Sequence, residues 1–194
     1  MTLWDKGQEI DTAVLAFSAG EEYLLDERLV PYDCDASAAH ARMLGCIGLL
    51  SRRETAELTR GLRQIKKLHA RGRFRIRPEQ EDCHTAIEEW LTQNAGPAGA
   101  KIHLGRSRND QVLTALRLYQ KSALESVRRH LGTFRASLAG AIRSHGRTPL
   151  PGYTHMQRAM PTTVAGWLGG FRDAVDDDRR LLGAVAALID QSPL

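Results

Sequence analysis

Two polar stretches of the sequence carry side chains suited to acid–base chemistry on an anionic substrate. The first, KIHLGRSRNDQV at 101–112, brings Arg106 and Arg108 behind a glycine and directly before an apolar, helical run. Guanidinium groups match carboxylates in a bidentate geometry, and free N–H groups at a helix N-terminus also favour anions. We therefore predict that this turn binds a carboxylate. A solvated, capped loop is the alternative for the stretch taken alone.

The second stretch, PGYTHMQR at 151–158, places His155 in a polar loop just before another helix. A histidine titrates near neutral pH and can act as a general acid or base. Tyr153, Thr154 and Gln157 add polar groups to the same loop. Most loop histidines are solvated, so a structural loop is the alternative here. The functional interpretation depends on the presence of two such polar loops, each directly before the N-terminus of a long helix.

The usual motifs of other catalytic sites are absent from the sequence. His84, His103 and His155 show no HExxH or carboxylate–histidine spacing, and no cysteine cluster accompanies them. We therefore predict no metal site. Neither GxSxG nor GxxxxGK[ST] occurs, which argues against a nucleophile elbow and a phosphate loop.

Composition limits the kinds of partner and the cellular compartment that we expect for this protein. The chain has 194 residues, a formal net charge of +4 and three cysteines without a CxxC pair. Scattered basic residues and few aromatics argue against a nucleic-acid partner. The first residues lack the apolar region of a signal peptide, and no run reaches the roughly 18 apolar residues of a membrane span. We therefore expect a cytoplasmic protein that does not interact with membranes.

The spacing of apolar residues predicts an all-α chain with a helical domain at residues 1–108. Four helices are expected there. They begin near Glu21, at an N-cap within Asp35–Ser37, at the capping box of Ser51 and Glu54, and at Pro78. His84 lies on the last of these helices, where a packed or solvated histidine is the ordinary interpretation.

Residues 109–194 are predicted to form two long amphipathic helices joined by a polar loop, with no β-strand. The first keeps a spacing of threes and fours for roughly four heptads, or about 45 Å, until Gly146 and Pro149. The second is expected to begin with Pro161 as its first residue. Two helices cannot bury both of their apolar stripes, so further helices must complete the bundle.

Three segments of the chain resemble motifs of the argininosuccinate lyase family, in the fumarase/aspartase superfamily. They are EDCHTAIEEWL, AKIHLGRSRNDQV and PGYTHMQRAMP, and DCDASAAHARML is similar to a serine-bearing segment of the family. The resemblance runs from about Leu3 to Leu194 and corresponds to the N-terminal portion of the family's chain. Leu104 and Ala100 depart from the family's usual threonine and glycine.

The resemblance implies a carbon–nitrogen lyase that converts argininosuccinate to arginine and fumarate by β-elimination, without a cofactor, in arginine biosynthesis. It implies catalytic roles for His155 and Thr154. The implied substrate-binding residues are Ser37, Arg108, Asn109, Arg106, His84, Tyr153 and Gln157. It also implies an incomplete central bundle here and a homotetramer at full length.

A further motif of the family, with the serine thought to transfer a proton, does not occur in these 194 residues. We therefore expect the chain alone to be inactive. A non-catalytic, crystallin-like or assembly subunit of the same superfamily is the alternative interpretation.

Overall fold

The computed structural model describes residues 13–14, 17 and 20–192 and is predominantly helical over that range, so the predicted fold class is confirmed. The chain divides into two compact units. The first extends to Tyr119, and the second comprises Gln120–Gln191. The boundary inferred from the sequence, between residues 108 and 109, coincides with the start of the longest described helix and stays a prediction.

From residue 20 onward, the described part of the first unit contains four helices and the beginning of a fifth. They are α1 (Glu22–Asp26), α2 (Val30–Cys46), α3 (Arg52–Ala70), α4 (Cys83–Asn94) and the first turns of α5 (Arg108–His145), with short 3₁₀ turns at Pro78–Gln80 and Gly96–Lys101. The core lies between α2, α3 and α4, where Leu44, Leu62 and Leu91 are at most 1% exposed. Burying such side chains stabilises the unit by about 1.5–3 kcal/mol each.

The second unit contains the rest of α5, two strands and a last helix. The strands are β1 (Pro149–Thr154) and β2 (Gln157–Thr163), and the helix is α6 (Val164–Ile189). Ion pairs join Lys121 to Asp190 and Arg135 to Asp176, each at 2.6 Å. The partner of Lys121 follows the end of α6, whereas the partner of Arg135, which comes later in α5, lies earlier in α6. The two helices therefore run antiparallel.

Large apolar side chains of α5 and α6 stay exposed within the second unit. Phe134 and Phe171 are each 50% exposed, and Trp167 is 58% exposed. This agrees with the expectation that two helices leave part of their apolar stripes unburied. Among the described helices, none combines the length and apolar character needed to cross a membrane.

Two predicted helix starts in the first unit are wrong. Helix α2 begins at Val30 with Pro31 in its first turn, so Asp35–Ser37 lie inside the helix instead of capping it. Proline disrupts the interior of a helix but is favourable in its first turn. From the sequence alone Pro31 indicates a helix break, although it lies in the first turn of α2. Similarly, Pro78 opens only a 3₁₀ turn, and α4 begins at Cys83.

The polar segment before α6 forms a β-hairpin where the sequence analysis predicted a loop. Strands β1 and β2 pair antiparallel, with Pro151 opposite Pro161 and Thr154 opposite Gln157. Pro161 is therefore a strand residue, and α6 begins at Val164 after the N-cap Thr163, whose Oγ1 accepts a hydrogen bond from Gly166 N. The hairpin escaped prediction because β2 is exposed along its whole length and shows no alternation of apolar and polar residues.

A bulge shapes the middle of this hairpin. The register shifts between Pro151 and Tyr153. A Cβ atom at Gly152 would collide with the carbonyl oxygen of Met160, so only glycine allows this close approach of the two strands.

The capping box predicted at the start of α3 is confirmed. Glu54 N donates to Ser51 Oγ at 3.2 Å, and Ser51 N donates to Glu54 Oε2 at 2.8 Å. Each hydrogen bond satisfies a backbone N–H that has no partner within the helix.

Replacing Ser51 with alanine is expected to lower the free energy of unfolding of the first unit by about 1 kcal/mol, because one cap acceptor is lost. Urea denaturation followed by circular dichroism measures the change. Ser51→Thr is the matched control, since threonine retains the cap hydroxyl. Equal stability of the alanine variant and the original chain would contradict a stabilising role for this cap.

Candidate active site

A buried polar network links α2 and α4 to the arginine-bearing turn in the first unit. Asp33, Ser37 and His84 are at most 1% exposed. Arg106 Nη2 donates to Ser37 Oγ at 2.9 Å, and Ser37 Oγ donates to Asp33 Oδ1 at 3.2 Å. His84 Nδ1 lies 3.2 Å from Asp33 Oδ2, although neither atom makes an aligned hydrogen bond. The network therefore places a carboxylate between a histidine and an arginine.

The charges of this network stabilise one another inside the protein. Burial alone would raise the pKa of Asp33, but the interaction with His84 and the positive charge of Arg106 outweigh it and hold the pKa below its usual value. Burial lowers the pKa of Arg106, while Asp33 opposes that effect. Asp33 is therefore ionised at neutral pH and compensates the guanidinium of Arg106.

Arg108 lies at the first residue of α5 and is held by the first turn of α4. Its Nη1 donates to Asp82 Oδ1 at 2.8 Å, and its Nη2 donates to Thr85 Oγ1 at 3.0 Å. The same Asp82 oxygen accepts a hydrogen bond from Thr85 N at 2.7 Å and caps α4. These contacts fix the guanidinium in place and leave part of its five N–H groups for a ligand.

Asn109 follows Arg108 and presents an exposed side chain at the N-terminus of α5. Among the described residues, no hydrogen bond involves its amide group. Ser107 and Asp110 flank it and cap each other reciprocally, since Ser107 N donates to Asp110 Oδ2 at 2.6 Å and Asp110 N donates to Ser107 Oγ at 3.4 Å. The helix N-terminus beside Asn109 favours an anion.

Several contacts anchor the turn that carries these residues. His103 Nε2 lies 2.6 Å from Glu88 Oε2, and His40 Nε2 lies 2.9 Å from the carbonyl oxygen of Leu104. Gly105 has φ of +75°, a conformation that glycine adopts without strain. The turn is thus a fixed part of the first unit, which is what a preorganised anion site requires.

The supporting residues Asp33, Asp82 and Glu88 were not predicted from the sequence. Asp82 had a recognisable signal, because an aspartate directly before an apolar-periodic helix is a typical N-cap. Asp33 and Glu88 had none, since their partners lie far away along the chain or across a turn.

The second unit presents His155 at the tip of the β-hairpin. His155 and Met156 have φ of +48° and +62°, which is the pattern of a two-residue hairpin turn with both central residues in the left-handed region. The histidine is exposed to solvent, as are Tyr153, Thr154 and Gln157. A non-glycine residue in this region costs of order 1–3 kcal/mol, so the pairing of β1 with β2 holds the backbone of the turn in this conformation.

The predicted site residues thus occur in both units. Ser37, His84, Arg106, Arg108 and Asn109 belong to the first, and Tyr153, Thr154, His155 and Gln157 belong to the second. In the first unit the structure brings Ser37, His84 and Arg106 into one network, with Arg108 tied to the same helix as His84. In the second unit, Thr154 and Gln157 face each other across the turn that carries His155.

Comparison with known proteins gives consistent matches along the chain. A family model described as Lyase matches residues 9–194. The argininosuccinate lyase of Thermotoga neapolitana is 45% identical over 192 residues, which are 99% of this chain and 48% of that protein. The argininosuccinate lyase of Sorangium cellulosum is 41% identical over 192 residues, with 99% and 45% covered. The chain spans about half the length of the curated relatives it matches.

The fold also matches solved structures. An EDDS lyase variant with bound fumarate superposes with a TM-score of 0.75 at 24% identity, covering 97% of this chain and 37% of that one. At this identity the likeness concerns the fold.

Proposed function

The chain belongs to the lyase family whose model matches residues 9–194, and from this premise we propose that it is the N-terminal part of an argininosuccinate lyase. The reaction would be a β-elimination. A base removes a proton from the carbon next to a carboxylate, the carbanion forms, and the carbon–nitrogen bond breaks to leave fumarate and arginine. The observation that carries the proposal is the preorganised turn with Arg108 and Asn109, found in a chain 45% identical to an argininosuccinate lyase.

Arg108 and Asn109 would bind a carboxylate of the substrate. The contacts of Arg108 with Asp82 and Thr85 orient its guanidinium, and the exposed amide of Asn109 stands next to it at the N-terminus of α5. The carbanion places additional negative charge on the adjacent carboxylate. Fixed donors aimed at that carboxylate therefore stabilise the transition state more than the ground state.

His155 and Thr154 would perform the proton transfer and hold the reacting part of the substrate, with Tyr153 and Gln157 beside them. The imidazole is suited to acid–base chemistry near neutral pH. Its exposed position at the hairpin tip supports this role, because the tip can reach a substrate bound elsewhere in an assembly. Whether His155 donates or accepts the proton depends on its catalytic partner.

Ser37, His84 and Arg106 would act from inside the first unit. Ser37 and His84 are buried to at least 99%, and Arg106 uses Nη2 on Ser37 Oγ. These contacts support a role in positioning the turn that carries Arg108, in place of the direct substrate contact implied by the family resemblance.

A homotetramer in the cytoplasm, serving arginine biosynthesis, would be the setting of this activity. The exposed apolar side chains of α5 and α6 support the assembly, since further helices would bury Phe134, Trp167 and Phe171. No nucleic acid, membrane or cofactor has a part in the proposal.

A chimera tests the function. This chain replaces the matching N-terminal part of the Thermotoga neapolitana argininosuccinate lyase, and turnover of argininosuccinate is followed by the ultraviolet absorbance of fumarate. We expect the chimera to be active and the chain Met1–Leu194 alone to be inactive. A folded chimera of the same assembly size as the parent enzyme, but without turnover, would contradict the proposal and support a non-catalytic assembly subunit.

A further inference from the structure

Three side chains, one from α1 and two from the first turn of α4, bring metal-ligand atoms together next to the buried network. Asp26 offers a carboxylate oxygen, Cys83 its sulfur and His84 a ring nitrogen, and these atoms lie within 4.8 Å of one another. We propose that Asp26, Cys83 and His84 form a binding site for a borderline-soft divalent cation of the Zn²⁺ class. This inference is independent of the proposed lyase activity.

His84 supplies the strongest reason to expect a ligand here. Its side chain is 1% exposed, and neither ring nitrogen has an aligned hydrogen bond. A buried polar atom without a partner costs about 1–3 kcal/mol, and coordination would remove that cost at one nitrogen. The carboxylate of Asp33, 3.2 Å from Nδ1, stands where metal-binding histidines usually have a second carboxylate that orients the ring.

The donor set selects the kind of cation. One sulfur, one nitrogen and one oxygen suit Zn²⁺, whereas Mg²⁺ and Ca²⁺ require oxygen ligands. Thiolate and carboxylate together balance a divalent charge.

The required adjustment of the ligand atoms is small. Zinc–ligand distances of about 2.0–2.3 Å place tetrahedral ligands about 3.5 Å apart. The three ligand atoms lie within 4.8 Å of one another, so each pair must close by at most about 1.3 Å. Asp26 Oδ2 already accepts a hydrogen bond from Cys83 N at 2.9 Å, which leaves its other oxygen for coordination. A water molecule would complete four-fold coordination.

Metal binding at this site would connect α1 to the first turn of α4. Helix α1 has no buried residues, and Asp26 is its last residue. The ligands Asp26 and Cys83 are 57 residues apart in the chain. Their separation explains why the sequence analysis, which looked for short ligand spacings, predicted no metal site.

Titration of the purified chain Met1–Leu194 with Co²⁺ tests the proposal directly. Coordination by Cys83 is expected to produce a thiolate-to-cobalt charge-transfer absorption, which water or carboxylate ligands do not produce. Zn²⁺ should displace the signal with 1:1 stoichiometry. At 100 times its Kd, Zn²⁺ should raise Tm by ~5–10 °C.

A second cysteine, Cys46, provides a matched control. Cys83→Ala is expected to abolish the charge-transfer absorption, whereas Cys46→Ala, at an exposed position, should leave it unchanged. If Cys83→Ala does not fold, Asp26→Asn takes its place, because the amide oxygen still accepts the hydrogen bond of Cys83 N; it should weaken Co²⁺ binding about 10-fold or more. Absence of the absorption in the original chain, or its loss in Cys46→Ala, would overturn the proposal.

Discussion

Replacing His155 with asparagine in the chimera is expected to lower the turnover of argininosuccinate by about 10²–10⁴-fold, the usual contribution of a general acid or base. Asparagine cannot titrate near neutral pH. It nevertheless tolerates the left-handed conformation better than most residues, and His155 has φ of +48°. The substitution therefore removes the chemistry and preserves the hairpin turn. Steady-state kinetics from fumarate absorbance measure the loss.

Met156→Asn is the matched control for this prediction. Met156 is the other central residue of the turn, with φ of +62°, and its side chain is 97% exposed. The control should retain turnover within a few-fold, and both variants should unfold within about 0.5 kcal/mol of the chimera. Near-normal turnover by His155→Asn would remove His155 from the mechanism. An equal loss in both variants would assign the effect to the shape of the turn.

Replacing Asp33 with alanine is expected to lower the free energy of unfolding of the first unit by about 3–5 kcal/mol. The substitution removes the carboxylate that compensates the guanidinium of Arg106, and it leaves that half-buried guanidinium and the buried His84 ring without their acidic partner. Urea denaturation of Met1–Leu194 measures the loss. Asp35→Ala is the matched control, because Asp35 lies two residues away on α2 in an exposed ion pair with Lys66 at 2.6 Å, worth about 0–1 kcal/mol.

The contribution of Asp33 also depends on pH. Its pKa is lowered in the folded protein, so the unfolded state binds the proton more tightly. The stabilisation is therefore complete above the unfolded pKa of about 3.9 and is lost as the pH falls through the lower folded pKa. Asp33→Ala should flatten this acid dependence. A stability and an acid profile equal to those of Asp35→Ala would contradict the role assigned to the network.

Helix-forming periodicity was readable from the sequence wherever apolar residues recur at spacings of three and four. The apolar spacing of α3, α5 and α6 predicted their existence, and the Ser51 capping box predicted the start of α3. The hairpin was not predictable in this way. Its prolines oppose strand pairing, and its exposed side chains on both faces remove the periodic signal on which the prediction depends.

Residue types were sufficient to locate the arginine-bearing turn and the segment with His155. The contacts that support the turn could not be predicted in this way. Arg106 and Ser37 are 69 residues apart, and the sequence contains no local pattern that joins them. Ser37 was assigned to the substrate by family resemblance. That assignment stays a prediction, and the burial of Ser37 beside Arg106 depends on packing that motif spacing does not reveal.

In the proposed assembly, the exposed apolar side chains of α5 and α6 would make the stability of the second unit depend on protein concentration. Any partner that covers Phe134, Trp167 and Phe171 binds the folded helices and not the unfolded chain, and so shifts folding by mass action. Dilution below the dissociation constant then removes that support from the second unit, while the first unit, with its own buried core, retains its stability. Supply of this chain within a cell would thus govern how much of it stays folded.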